Sequence, residues 1–217
     1  MSKTITVKGI GKASAAADFV VVSMVLESQS MQYEKAMNQA AEKIDQLNTA
    51  LETAGFEKKA VKTTNFDVET DYKTLRKTDG SSHRVFNGYV VTHNLKVEFD
   101  FDSKRLSQAL SAIGSCLAKP QLSINFTVKD AASLNEEMLR SAAVNARRKA
   151  DILCNAAGEK LGELLCIDYS WDEINFCSKT RYRMGDACLA APTEACIDIE
   201  PDDVDVSDTV TFIWAIQ

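Results

Sequence analysis

Two spacings of apolar residues alternate along this chain, and the points where one gives way to the other mark out its elements. Residues 4–8 alternate as a short strand, predicted to end in a turn at Gly9-Ile10-Gly11. From Phe19 to Leu26 apolar residues fall on both parities, as in a strand covered on both faces, with Val20, Val22, Met24 and Leu26 the more consistent face. The spacing then lengthens. Tyr33, Ala36, Met37, Ala40, Ala41, Ile44, Leu47, Leu51 and Ala54 recur at helical intervals, and Gly55 is placed to end that helix in a left-handed conformation.

Residues 60–76 and 83–101 read as two strands joined through the turn-rich Thr78-Asp79-Gly80-Ser81-Ser82. In the second, Tyr89, Val91, His93, Leu95, Val97, Phe99 and Phe101 face one way, and Asn94, Lys96, Glu98 and Asp100 the other. Asp102 or Ser103 can cap a short helix to about Cys116, and Leu122 to Val128 follows as a strand. A long helix is predicted over Ala131 to Ala157, with Asp130 as N-cap, Ser133 and Glu136 as a capping box, and Gly158 at its end. Its predicted buried stripe is Leu139, Ala142, Ala143, Ala146, Ala150, Leu153 and Ala157, whose alanines let a neighbouring backbone come close. On the wet side, Glu136 with Arg140 and Arg147 with Asp151 are spaced as ion pairs. Leu164 to Trp171 reads as a strand and Asn175 to Cys196 as a long irregular stretch. Val204, Val206, Val210, Phe212, Trp214 and Ile216 then share one face of a half-buried terminal strand.

Between residues 18 and 128 the order is therefore β-α-β-β-α-β, a ferredoxin-like arrangement with two helices on one face of an antiparallel sheet. The predicted fold class is α+β. The long helix and the remaining strands form a second layer or lobe, so that one domain over 1–217 is built from two intertwined lobes, 18–128 and 1–17 plus 129–217. Only three prolines and nine glycines occur in 217 residues, too few for a Pro/Gly-rich linker between halves.

Charge narrows the partners. Of the net −6, residues 1–108 contribute almost nothing, with 15 Lys+Arg against 14 Asp+Glu, whereas residues 109–217 hold 10 against 17. Beyond Arg183 every charged residue is acidic, from Asp186 through Asp202, Asp203, Asp205 and Asp208. Such a surface repels a phosphate backbone, so nucleic acid is not an expected partner. No apolar run is long enough for a membrane span, and the N-terminus lacks the apolar core of a signal peptide, which predicts a cytoplasmic protein with reduced thiols.

Candidate chemistry is sparse. Gly9 and Gly11 follow a strand but lead into another strand, so no helix N-terminus stands ready for a pyrophosphate. Cys177, Cys188 and Cys196 lie in the irregular stretch at spacings unlike those of structural zinc sites, and are weak redox candidates. Of these, Cys177 lies nearest to Lys179, Arg181 and Arg183, cations able to favour its thiolate. His93 falls on an apolar strand face, the place of a hydrogen-bonded core histidine. Nucleophile-elbow, HExxH and phosphate-loop motifs do not occur. Asp202-Asp203-Val204-Asp205 lacks the glycine and distal glutamate of a calcium loop, and reads instead as a solvated strand edge guarded by charge. No catalytic residue, cofactor or metal is predicted.

Several segments, taken in order, resemble the SIMPL-domain family. They are Ile5 to Gly11, Asp18 opening the next strand, Leu51-x-x-Ala54-Gly55-Phe56, Thr63-Thr64-Asn65-Phe66, and Gly88 to Val97. The most specific runs from Ala142 to Gly162, and Pro201 before the last strand also fits. The resemblance covers nearly the whole chain. It implies an α+β fold and a family with members linked to oxidative-stress defence, periplasmic members that assemble into homo-oligomeric rings, and an animal adaptor in kinase signalling. It carries no catalytic residues. Ala17 stands where the family often has proline, and the N-terminal residues are not expected to act as the export signal that many bacterial relatives carry. The expected function is a non-enzymatic interaction or assembly protein, homo-oligomeric through sheet edges or exposed helix faces and open to an unidentified protein partner. A thiol-based stress-protective protein is the alternative.

Overall fold

A computed structural model describes residues 3–76, 82–169, 174–184 and 199–217. In chain order the elements are β1 (Thr4–Ala15), β2 (Phe19–Ser30), α1 (Tyr33–Thr53), β3 (Lys62–Arg76), β4 (Ser82–Asp100), α2 (Ser103–Ser115), β5 (Gln121–Thr127), α3 (Ala131–Ala156), β6 (Leu161–Asp168), β7 (Cys177–Met184) and β8 (Val204–Ile216). The class is α+β, as predicted. Two compact units divide the chain: Met1–Asp18, Phe126–Lys179 and Pro201–Gln217 in the first, Phe19–Asn125 and Thr180–Glu200 in the second.

Local chemistry accounts for the helix limits. The Asp102 carboxylate accepts the Arg105 N–H at 2.7 Å to start α2, and the Asp130 carboxylate accepts the Ser133 N–H at 2.9 Å to start α3. Each cap contributes about 1 kcal/mol. Helix α1 ends where Gly55 turns to φ +90°, letting the Phe56 N–H reach back to the Leu51 carbonyl at 3.0 Å.

In the first unit a three-stranded sheet of order β1-β8-β6 carries α3. β1 and β8 pair antiparallel along their full lengths, from Thr4 opposite Ala215 to Ala15 opposite Val204. Val7, Val210, Phe212 and Trp214 bury themselves against Ala142, Ala146 and Ala150. The turn expected at Gly9-Ile10-Gly11 is not there. β1 runs straight through both glycines, because α3 needs the space a side chain would fill: a Cβ on Gly9 would lie 2.2 Å from the Ala142 carbonyl oxygen, and one on Gly11 2.2 Å from that of Met138. Glycine here marks a close approach of helix and strand rather than a bend.

The buried stripe of α3 also differs from expectation. Leu134, Met138, Ala142, Ala146, Ala150 and Cys154 are buried, whereas Ala143, Leu153 and Ala157 are exposed. The true row steps by four throughout, a single ridge of the helix surface; the predicted stripe mixed steps of three and four and so drifted off it. Of the two wet-side pairs, Glu136 and Arg140 stand at 3.6 Å and are exposed. β6 pairs with β8 only over residues 211–216, so among the described residues the Asp205 end of β8 is paired with β1 alone. There Asp205 accepts from the Ser14 hydroxyl at 2.8 Å and pairs with Lys179 at 3.1 Å.

The second sheet has the order β3-β4-β2-β5-β7. Val20, Val22, Met24 and Leu26 of β2 are buried opposite Phe99, Val97, Leu95 and His93 of β4, the alternation read from the sequence. Ala36 and Ala40 of α1 pack on Val91, while Leu106, Ala109, Leu110 and Ile113 form the buried face of α2. β3 and β4 form the expected antiparallel pair; the connecting residues 77–81 lie outside the described ones. Strands β6 and β7 correct the reading of residues 161–196. β6 begins three residues early at Leu161 and ends at Asp168, with Ser170 and Trp171 outside the described residues. The stretch read as irregular contains β7, a polar strand whose alternation of Ser178, Thr180 and Tyr182 with Lys179, Arg181 and Arg183 carries no hydrophobic signal.

Candidate functional site

Cys177 lies at the start of β7 and is half-buried, while Cys188 and Cys196 lie outside the described residues. Lys179, expected to act on the Cys177 thiol, has its ammonium engaged by Asp205. Cys166, not singled out from the sequence, is the exposed thiol on β6, and Cys116 and Cys154 are buried. A limiting alkylating reagent is therefore expected to modify Cys166 well before Cys116 or Cys154 in the folded protein, as peptide mapping would show; equal labelling would contradict this placement.

His93 is 9% exposed, in the middle of β4. Its Nε2 lies 2.8 Å from the Thr63 hydroxyl and its ring meets Phe66 edge-on at 5.0 Å, the arrangement of a core histidine. Burial holds its pKa below the ordinary 6.5. The unfolded chain therefore takes up this proton at higher pH than the folded one, so the contribution is complete above about 6.5 and declines as pH falls through that value. Urea midpoints are expected to drop between pH 7.5 and 5, and part of that drop should vanish in His93→Gln. An unchanged slope in the variant would remove His93 from the account.

Two surface grooves flank α1. One is lined by Ser28, Gln39, Glu42, Lys43 and Leu117; the other, between α1 and α2, by small residues such as Thr49, Ala50, Thr53, Ser107, Ser111 and Ala112. Neither includes His93. Among the described residues, no three of His, Cys, Asp and Glu gather so as to hold a metal ion, and no helix is long and apolar enough to cross a membrane.

The sheet edges are the distinctive surfaces. On the three-stranded sheet the β1 edge is closed by α3: Asn145 accepts the Ile10 N–H at 3.0 Å, Ser141 the Lys12 N–H at 3.3 Å, and Lys149 donates to the Lys8 carbonyl at 3.1 Å. The opposite edge, β6, presents Leu164, Leu165, Cys166 and Ile167, all exposed, with Leu164 at 46% and Ile167 at 55%. Monomeric proteins blunt such edges with charge, proline, bulges or cover; residues 164–167 hold neither charge nor proline, while Glu163 and Asp168 flank them and the register with β8 shifts on either side of Leu164. On the five-stranded sheet, β3 is exposed on both faces over nearly its whole length. Its Tyr72 ends a ladder of rings that starts at Tyr33 of α1 and passes through Tyr89 and Phe86 of β4, neighbours standing at 5.3–5.8 Å, with the Arg84 guanidinium of β4 over Tyr72. Sequence alternation did not reveal it, because a bulge between Asp71 and Tyr72 shifts the register that brings Phe86 opposite Tyr72.

No curated protein matches the chain. The family model named SIMPL, described as a protein of unknown function (DUF541), matches residues 5–214. With nearly the whole chain covered, its sheets and helices fall within one family pattern, and the chain belongs to the SIMPL family.

Proposed function

We propose that this SIMPL protein is a non-enzymatic assembly protein whose copies join through open sheet edges. The observation that carries this reading is the β6 edge, where four consecutive non-polar side chains remain exposed while α3 closes the other edge of the same sheet. An uncovered strand offers unpaired N–H and C=O groups together with apolar surface, and a further strand satisfies both at once. Support of stress defence, suggested by the family resemblance, is assigned in this reading to the assembled form. Light scattering over a concentration series is expected to give a mass well above one chain; a strict monomer throughout would end the proposal.

Cys166 favours a second reading. An exposed thiol on that same edge suits a thiol-based protective protein better than the half-buried Cys177 does. Cells carrying Cys166→Ser in place of the native copy should then lose peroxide tolerance. Unchanged tolerance would leave assembly as the sole reading.

A further inference from the structure

The five-stranded sheet ends in two edges that carry short rows of opposite charge, an acidic row in the middle of β3, flanked by Lys62, Lys73 and Arg76, and a basic row on β7. At one end is β3, where Asp67 and Glu69 stand two residues apart and so project from one face of the strand. Pairing with β4 is regular from Asn65 to Asp71, so no bulge intervenes between them. At the other end is β7, where Arg181 and Arg183 have the same separation and are both exposed. Neither arginine has an ion-pair partner among the described residues, and neither has Glu69. Asp67 uses one carboxylate oxygen to accept the Val68 N–H at 2.9 Å, which leaves the other. Lys179 and Asp71, the next residues of each row, are already engaged, by Asp205 in one case and by Gln29 and Asn87 in the other.

We propose that the β7 edge of one copy adds to the β3 edge of the next, continuing the five-stranded sheet from chain to chain with Arg181 and Arg183 facing Glu69 and Asp67. This rests on the assembly reading and names a contact within it. Charge complementarity selects the occupant as a second copy. In an antiparallel pair, setting Arg181 opposite Glu69 places Arg183 opposite Asp67. In a parallel pair, Arg181 meets Asp67 and Arg183 meets Glu69. Side chains directly across from one another lie about 5 Å apart at Cβ, within reach of a carboxylate–guanidinium pair. Pairing β3 with β3 would set carboxylates against carboxylates near its centre, and pairing β7 with β7 would set guanidinium against guanidinium; both are disfavoured. The eight residues of β7 span about 26 Å, and β3, at fifteen, is long enough to receive all of them. Because the two surfaces differ, the contact is head-to-tail and generates a ring or a filament rather than a two-fold dimer.

Complementary charge reversal tests it. R181E/R183E makes both edges acidic, and D67K/E69K makes both basic, so each variant alone should associate at least tenfold more weakly than the unmodified chain by sedimentation velocity. Mixed in equal amounts they offer opposite charges at every junction, and assembly should return. Far-UV circular dichroism confirms folding of each; if a reversed variant misfolds, R181Q/R183Q and D67N/E69N replace them, and each should weaken association and flatten its salt dependence. Variants that associate as the unmodified chain does would overturn this contact while leaving the assembly reading intact. Dispersed variants whose mixture stays dispersed would overturn it also, and an unmodified chain that is monomeric throughout would overturn both.

Discussion

Replacing Gly9 by alanine is expected to lower stability by about 3 kcal/mol, since one added methyl meets atoms that cannot withdraw. The new Cβ would lie 2.2 Å from the Ala142 carbonyl oxygen and 2.7 Å from the Ala146 Cβ. Both belong to α3, where the carbonyl is fixed in the helix ladder and the methyl is already the smallest side chain that can stand there. Helix and strand must separate, and separation uncovers Val7, Phe212 and Trp214, the core of the first unit. For a chain of this length that loss corresponds to a fall in Tm of roughly 6–12 °C. Gly114 is the control: it lies in α2 with nothing within 4 Å of its added Cβ, so Gly114→Ala should be neutral or stabilising by up to about 1 kcal/mol. Equal effects at the two positions would show that helix–strand contact is not what glycine provides.

The second large effect concerns assembly. Leu164→Lys with Ile167→Lys should weaken self-association about a hundredfold, roughly tenfold for each apolar side chain withdrawn from an interface. Both residues are about half exposed, and their partners across the ladder are Trp214 and Phe212 on the side facing α3. A lysine at either place keeps its stem on the sheet and its ammonium in water, so the fold should survive while the edge is blunted. Thermal midpoints should therefore move little, whereas the concentration for half-assembly should rise steeply. The reverse pattern, loss of stability with association unchanged, would make these residues part of the core.

Legibility in the sequence followed the strength of the hydrophobic signal. Both capped helices, α2 and α3, could be placed to within a residue because Asp102 and Asp130 are short acceptors standing one position ahead of the first turn. β4 was legible because a buried face forces strict alternation, whereas β2 carries apolar residues on both parities and only the face of Val20, Val22, Met24 and Leu26 is fully buried. β7 was not legible, since a polar edge strand obeys the same alternation without any apolar residue to display it. Gly9 and Gly11 misled for a different reason. Glycine in a sequence reports permitted conformation, and only the neighbouring helix reveals that space was what the position required. The surfaces were harder still. Leu164, Leu165 and Ile167 look like any core strand in one dimension, and only the placement of α3 over β1 leaves them uncovered. Likewise, the carboxylates of β3 and the guanidiniums of β7 lie more than a hundred residues apart, and only the strand order shows that they end the same sheet.

Amide hydrogen exchange, followed strand by strand from dilute protein to a hundredfold higher concentration, tests most directly whether open edges join copies of this chain. Protection of the outward N–H groups of β6 and β3 should rise with concentration while that of β1, already closed by Asn145 and Ser141, stays constant. Exchange at β6 and β3 that is rapid and independent of concentration would contradict assembly through these strands.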